Sequence, residues 1–260
     1  MPDYQTVRLH GQHLRLGVVR LGAGSPGPAL VFLHGMGASS THGLRPLVAH
    51  PLLAGRERVL VDLPGFGESS APPGWPATIE AHADVVAVLL RQLGLSPVHL
   101  VGHSMGGNVA ILVAARHAEA VCRLTVAEPL LNAAHARLSA HIARQSEATF
   151  VRRGIASLRM ATQRQAARGD IAARAVLSDL ERVDPTIMHR SAVSLLAERT
   201  PSFGQILAAL PLPRTFIAGA RTGIAASPLR AAGIDVVVIP DAGHAMLHEQ
   251  PGAFVQALLA

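Results

Sequence analysis

The stretch Val101-Gly102-His103-Ser104-Met105-Gly106-Gly107 constrains this chain more than any other, because it sets G-x-S-x-G between a strand-like run and a helix-like one. Val98 to Val101 is largely apolar on consecutive positions, as a strand covered on both faces requires. Met105 to His117 repeats apolar residues at three- and four-residue spacing. Small residues two before and two after the serine allow a sharp turn that holds Ser104 in a strained backbone geometry. Its hydroxyl then stands above the sheet, with its neighbouring amides at the positive end of a helix. The competing reading is a Gly-rich strand-to-helix turn with an incidental serine.

The rest of the chain supplies a sheet for that turn. Val7 to Leu9 and Leu14 to Val19 read as an opening pair of strands. Ala29 to Leu33, Arg58 to Val61, Leu124 to Ala127, Arg214 to Ile217 and Val236 to Ile239 read as further strands. Helical patterns over Ile79 to Leu93 and near Gly252 to Leu259 alternate with them. The expected class is therefore α/β, with a mainly parallel eight-stranded sheet flanked by helices. From Leu130 to Leu210 the β-branched runs disappear and Ala, Arg, Leu and Gln recur in helical spacing. This predicts an all-helical insertion of about four helices, with breaks at Gly154, Gly169-Asp170 and Asp184-Pro185. The domain division is then a core of residues 1–129 and 211–260, and an insertion of residues 130–210.

Composition removes several function classes. With 260 residues, 49% hydrophobic and 15% charged, the chain can bury a sizeable core and is not disordered. The single cysteine, Cys122, excludes an internal disulfide framework and any cysteine-based metal cluster. All 23 basic residues are Arg, yet no basic block exceeds Arg152-Arg153 and no aromatics alternate with them, so no nucleic-acid partner is expected. No apolar stretch approaches the roughly 18 residues needed to span a bilayer, and Met1 to Arg20 lacks a signal-peptide core; the expectation is a cytoplasmic protein without membrane contact. A homodimer stays open.

Upstream of the serine, His34-Gly35-Met36-Gly37 ends another strand in a flexible turn. An acyl-transfer oxyanion needs two amide donors, and the natural pair is the N–H of Met36 and the N–H of Met105. Gly35, Gly37 and His103 are then placed against the substrate. His34 is read as structural, its ring tying down the loop.

A third segment, Asp62-Leu63-Pro64-Gly65-Phe66-Gly67-Glu68-Ser69, joins these two in chain order. Together they resemble the α/β-hydrolase family, over nearly the whole chain outside the insertion. The resemblance implies a catalytic histidine after the last strand, where Asp241-Ala242-Gly243-His244 stands, and makes His244 the base. His99, His103, His135, His141, His189 and His248 are poorer placed. In most relatives an Asp follows the strand after the insertion, but here that loop reads Ala220-Arg221-Thr222-Gly223, and no Asp or Glu occurs from Arg199 to Ile234. Haloalkane dehalogenases and zearalenone-lactonase-like hydrolases carry their acid after an earlier strand, and the position in this sequence is Glu128, directly after Leu124 to Ala127. Asp241 is too near His244 in sequence to be preferred, and a surface glutamate is the competing reading of Glu128.

The expected activity is hydrolysis of a small-molecule carboxylic ester or lactone through an acyl-enzyme, with Ser104, His244 and Glu128 as the triad and no cofactor or metal. A serine where dehalogenases and epoxide hydrolases need a carboxylate excludes those reactions. A thioesterase acting on acyl-carrier substrates, a carbon–carbon hydrolase and a weakly catalytic small-molecule receptor remain as alternatives. The insertion resembles a cap over the catalytic face. Its apolar residues, with Phe150 and Met160, are candidates to line a cavity, and its Arg residues, among them Arg159, Arg164 and Arg168, read as a solvated face.

Overall fold

Runs such as Leu30-Val31-Phe32-Leu33 must hide both faces of a strand, because alternate side chains project to opposite sides. In the computed structural model, which describes residues 3–9, 11–131 and 136–260, they do so. Val31 and Leu33 enter one apolar cluster, with Val59, Val61, Leu100, Val109 and Leu124, beneath the helices of one face. Leu30 and Phe32 enter a second, with Leu60, Val101, Ile217, Phe254 and Leu258, on the other face. Burying one such Leu or Phe side chain is worth roughly 1.5–3 kcal/mol, so these two layers dominate the stability of the core.

Eight strands form one sheet in the order β1-β2-β4-β3-β5-β6-β7-β8. They are β1 (Asp3–Leu9), β2 (Gln12–Leu21), β3 (Leu30–Leu33), β4 (Arg58–Val61), β5 (Val98–His103), β6 (Val121–Ala127), β7 (Arg214–Gly219) and β8 (Asp235–Ile239). The β1–β2 hairpin is antiparallel and β2 runs antiparallel to β4, while β3 to β8 are all parallel. The carboxyl ends of β3, β5, β6 and β7 therefore open on one edge of the sheet, where a fold of this kind gathers ligand-facing groups.

The helices of the core are α1 (Ser40–Gly43), α2 (Arg45–Val48), α3 (Ile79–Gln92) and α4 (Met105–Arg116). Between β6 and β7 lie α5 (Arg137–Ala143), α6 (Glu147–Thr149), α7 (Ile155–Ala167), α8 (Ile171–Leu180), α9 (Pro185–Leu196) and α10 (Phe203–Ala209). The chain then closes with α11 (Ala226–Ala231), α12 (Met246–Glu249) and α13 (Pro251–Leu259). Asp170 and Asp184 start α8 and α9 by accepting amide hydrogen bonds from Ala173 and from Thr186 and Ile187, so those two breaks are true helix starts.

Gly154 corrects the sequence reading. It interrupts nothing: a π turn over Phe150–Gly154 joins α6 to α7 in one helical run. A Cβ there would lie 2.6 Å from Phe150 Cδ2 and 2.6 Å from Gln145 Oε1, so the glycine permits a close approach rather than ending a helix. Phe150 is fully buried, whereas Met160 faces outward, 56% exposed. The short helices α1, α2, α11 and α12 were not foreseen, since stretches this brief carry too few periods to register. Among the described residues, no helix is long and apolar enough to cross a membrane.

Candidate active site

β5 ends at His103, and the chain turns within one residue into α4. Ser104 makes that turn at φ 51 and ψ −123, a region costing about 1–3 kcal/mol for a residue with a side chain. Backbone hydrogen bonds on both sides hold it there. Ser104 N donates to Ala127 O of β6 at 2.9 Å, and Gly107 N donates to Ser104 O at 2.8 Å. The glycines around the serine answer a steric demand: a Cβ on Gly102 would meet Gly106 O at 2.4 Å, and one on Gly106 would meet His34 O at 2.4 Å. No side chain caps the first amides of α4, which leaves the Met105 end of the helix free to face an anion.

The loop after β3 lies against this turn. A Cβ on Gly35 would stand 3.1 Å from both Ser104 Cβ and His103 Nδ1, so the loop that carries Met36 is pressed on the serine. His34 fixes the loop from below: its Nδ1–H donates to Gly35 O at 2.8 Å and its Nε2 accepts from Leu63 N at 3.0 Å. Burial pushes its pKa down, and the neutral ring with one donor and one acceptor fits both bonds. Gly37, at φ +78, lies under the insertion, its Cβ position 3.0 Å from Leu180 Cδ2. The Met36 side chain points the same way, with Ser139 Oγ 3.9 Å from its sulfur.

At the next strand end, Glu128 follows β6 at φ 44 and is 5% exposed. Its Oε2 lies 2.7 Å from His244 Nδ1, while Oε1 accepts from Gly219 N at 2.9 Å and from Thr222 Oγ1 at 2.6 Å. Burial pushes this carboxyl up, but the bonds from His244, Thr222 and Gly219 outweigh it and hold the group below the usual glutamate value. The end of β7 and the loop after it, where most relatives keep an acid, thus contribute two donors instead. Sequence reading missed Thr222, and its signal was the vacant acid position itself.

His244 stands on a loop stapled from two sides. Arg221 donates to Asp241 O at 2.6 Å and to Glu249 Oε1 at 2.7 Å, and Glu249 Oε2 also accepts from Gly243 N. Asp241 turns the chain at φ 56 and leaves its side chain exposed. His103 adds a third tie: its Nε2–H donates to His244 O at 2.8 Å, and the two rings lie 4.8 Å apart. Burial, reinforced by His244, pushes the His103 pKa well down, consistent with a neutral ring.

The structure therefore brings His244 to Glu128, and Gly35 and His103 to Ser104, with His103 bridging the two groups. Among the described residues, no hydrogen bond joins Ser104 Oγ to His244 Nε2, and the His244 side chain is 54% exposed. Such contacts are often loose until a substrate is bound. Of the other histidines, His99 bonds to Thr125 Oγ1 and His189 to Gln145 O; His135 lies outside the described residues. A groove of about 510 Å³ beside α9, lined by Pro76, Glu80, Glu147, His189, Arg190 and Arg199, contains none of Ser104, His244 and Glu128. Two ion pairs cross its lining, Arg190 with Glu147 and Arg199 with Glu80.

The family described as the alpha/beta hydrolase fold matches residues 28–166. The sn-1-specific diacylglycerol lipase of Mus musculus is 42% identical over 101 residues, which is 39% of this chain and 32% of that protein. The chain spans less than half the length of the curated relatives it matches. Among solved structures, a thermophilic esterase from Thermogutta terrifontis with malate bound is 25% identical at a TM-score of 0.79, covering 100% of this chain and 97% of that one. An enol-lactonase from Burkholderia xenovorans LB400 is 21% identical at a TM-score of 0.78, covering 98% of each chain.

Proposed function

Because the chain belongs to the α/β-hydrolase fold family, we propose that it is a serine hydrolase cleaving a carboxylic ester or lactone through an acyl-enzyme. The observation that carries this reading is the 2.7 Å contact of His244 Nδ1 with Glu128, on a sheet edge where Ser104 is held at φ 51. The carboxylate accepts a hydrogen bond from Nδ1–H, which keeps the proton on Nδ1 and leaves Nε2 unprotonated, the tautomer that a general base needs. Ser104 Oγ attacks the carbonyl carbon as its proton passes to Nε2. The carbonyl π electrons move to oxygen, and the amides of Met36 and Met105 receive the oxyanion. Collapse expels the alkoxide, which takes the proton back from His244. Water then repeats the sequence on the acyl-enzyme and releases the acid.

Gly35, Gly37 and His103 form the near wall of the acyl site in this reading, and the helices of residues 130–210 act as its cap. The cap assignment is supported by three contacts over the strand ends: Leu180 above Gly37, Ile187 above Gly65, and Asp184 N donating to Gly65 O at 2.8 Å. The esterase activity named for the Thermogutta protein supports an oxygen ester as the substrate class.

The test is covalent labelling with a fluorophosphonate, followed by turnover of esters, lactones and matched thioesters of graded size. The label should map to Ser104, and Ser104→Ala should lower kcat by up to ~10⁶. Undiminished turnover by Ser104→Ala overturns the mechanism. Thioesters outpacing matched oxygen esters would replace the substrate class, and tight binding without turnover would make the protein a receptor.

A further inference from the structure

Away from the triad, one carboxylate is buried where the insertion meets the sheet edge. Asp179, in the last turn of α8, is 1% exposed, and its Oδ2 accepts a hydrogen bond from the backbone amide of Ser39 at 2.9 Å. Ser39 caps α1 and directly follows His34 to Ala38, the loop that carries the Met36 amide. The contact is close on both sides. A Cβ on Gly43 would lie 3.0 Å from the same Oδ2, and the next residue of α8, Leu180, is the one that covers Gly37. Helix α8 also packs against α12, which follows His244. One helix of the insertion thus touches the loop on one flank of Ser104 and the segment that carries the base.

The sheet holds the same loop differently. Asp62, after β4, accepts from Ser39 Oγ at 2.9 Å, from Thr41 N at 2.9 Å and from Thr41 Oγ1 at 2.6 Å. Asp62 therefore fastens the Ser39 side chain to the core, and Asp179 fastens its backbone to the insertion. A desolvated carboxylate is a poor device for packing a helix, since an apolar side chain of similar size does this at lower cost. Its value lies in directing one acceptor at one amide.

We propose that Asp179 is a positioning residue that ties the Met36 loop to helix α8, so that the oxyanion site is complete only while the insertion is docked. This rests on the hydrolytic reading for its catalytic consequence, but the tie itself is measurable without turnover. Removing the acceptor frees the Ser39 amide and lets the loop drift. The transition state loses a donor aimed at its oxyanion, while ground-state binding is little changed.

The experiment compares the full-length wild type with Asp179→Ala, Asp179→Asn and Gly43→Ala. Hydrogen exchange is followed by mass spectrometry over residues 34–44, and kcat and KM are measured on a p-nitrophenyl ester. Asp179→Ala should speed exchange at the Ser39 amide about tenfold. It should also lower kcat about tenfold or more, with KM within about threefold of wild type. Asp179→Asn keeps an acceptor oxygen and should stay near wild type in both measurements. Gly43→Ala, which pushes a methyl on Oδ2, should reproduce the alanine effect in weaker form and serves if Asp179→Ala does not fold. Unchanged exchange in Asp179→Ala and Gly43→Ala overturns the tie; faster exchange with unchanged kcat overturns its catalytic role. A wild type that the fluorophosphonate does not label overturns the hydrolytic reading instead, leaving the exchange result to judge the tie alone.

Discussion

Glu128 is buried at the sheet edge and Asp179 in the insertion, and the two carboxylates are driven in opposite directions. Glu128, 5% exposed after β6, receives donors from His244, Thr222 and Gly219, and they hold it ionised against its burial. Asp179, 1% exposed in α8, receives the Ser39 amide, and burial wins: its carboxyl is pushed up to about 6, with His42 and Arg182 opposing and Asp62 assisting that shift. Depth is similar, so the donors decide. A group supplied with several donors can hold a charge against an imidazole through a reaction. A group supplied with fewer carries its charge at a cost and suits a contact that must form and release.

Amide replacements at the two positions should therefore differ in sign. Glu128→Gln removes the charge that fixes the His244 tautomer, and kcat should fall by up to ~10⁴ with the fold intact. Near-normal turnover would take Glu128 out of the triad. Asp179→Asn should instead stabilise the protein at neutral pH. The folded value of about 6 lies above the ordinary 3.8, so the folded state binds the proton more tightly. Stability from this group is then full below about pH 4 and is lost as pH rises through 6. Removing the charge should recover at most about 3 kcal/mol above pH 7 and nothing near pH 4, read as the Tm difference between variant and wild type across that range. A variant less stable than wild type at pH 8 would show that the surroundings of Asp179 favour its charge more than burial opposes it.

What the sequence revealed follows the same division. The elbow was legible because Gly102, Ser104 and Gly106 impose their geometry over five residues, and the central strands because consecutive Val and Leu have no other place to go. Glu128 was reached by elimination, from the absence of any acid between Arg199 and Ile234 together with the family resemblance. The donors that make it a stable anion were not. Thr222 lies 94 positions from Glu128, and Ser39 lies 140 from Asp179, so neither bond leaves a local pattern. Gly154 misled for a related reason: a glycine that admits a phenylalanine ring and one that ends a helix read alike until the packing is known.

The comparison is sharpened most finely at Thr222, where the number of donors can be changed by one without moving a charge. The hydroxyl lies 2.6 Å from Glu128 Oε1 and 2.8 Å from Gly219 O, and its single proton serves the ionised oxygen better. Thr222→Val keeps the shape and removes that donor. With burial unchanged, the Glu128 pKa should rise from its depressed value. The stability it contributes is present above the ordinary carboxyl range and lost as pH falls through the folded pKa, so it should shrink. The variant should lose about 1–2 kcal/mol at pH 7, and that deficit should narrow as the pH approaches 4. Turnover should fall only about threefold to tenfold, because His244 and Gly219 still hold the carboxylate in place. A deficit that stays constant with pH would mean that Thr222 acts through packing, and the contrast between the two buried acids would then need a cause other than their donors.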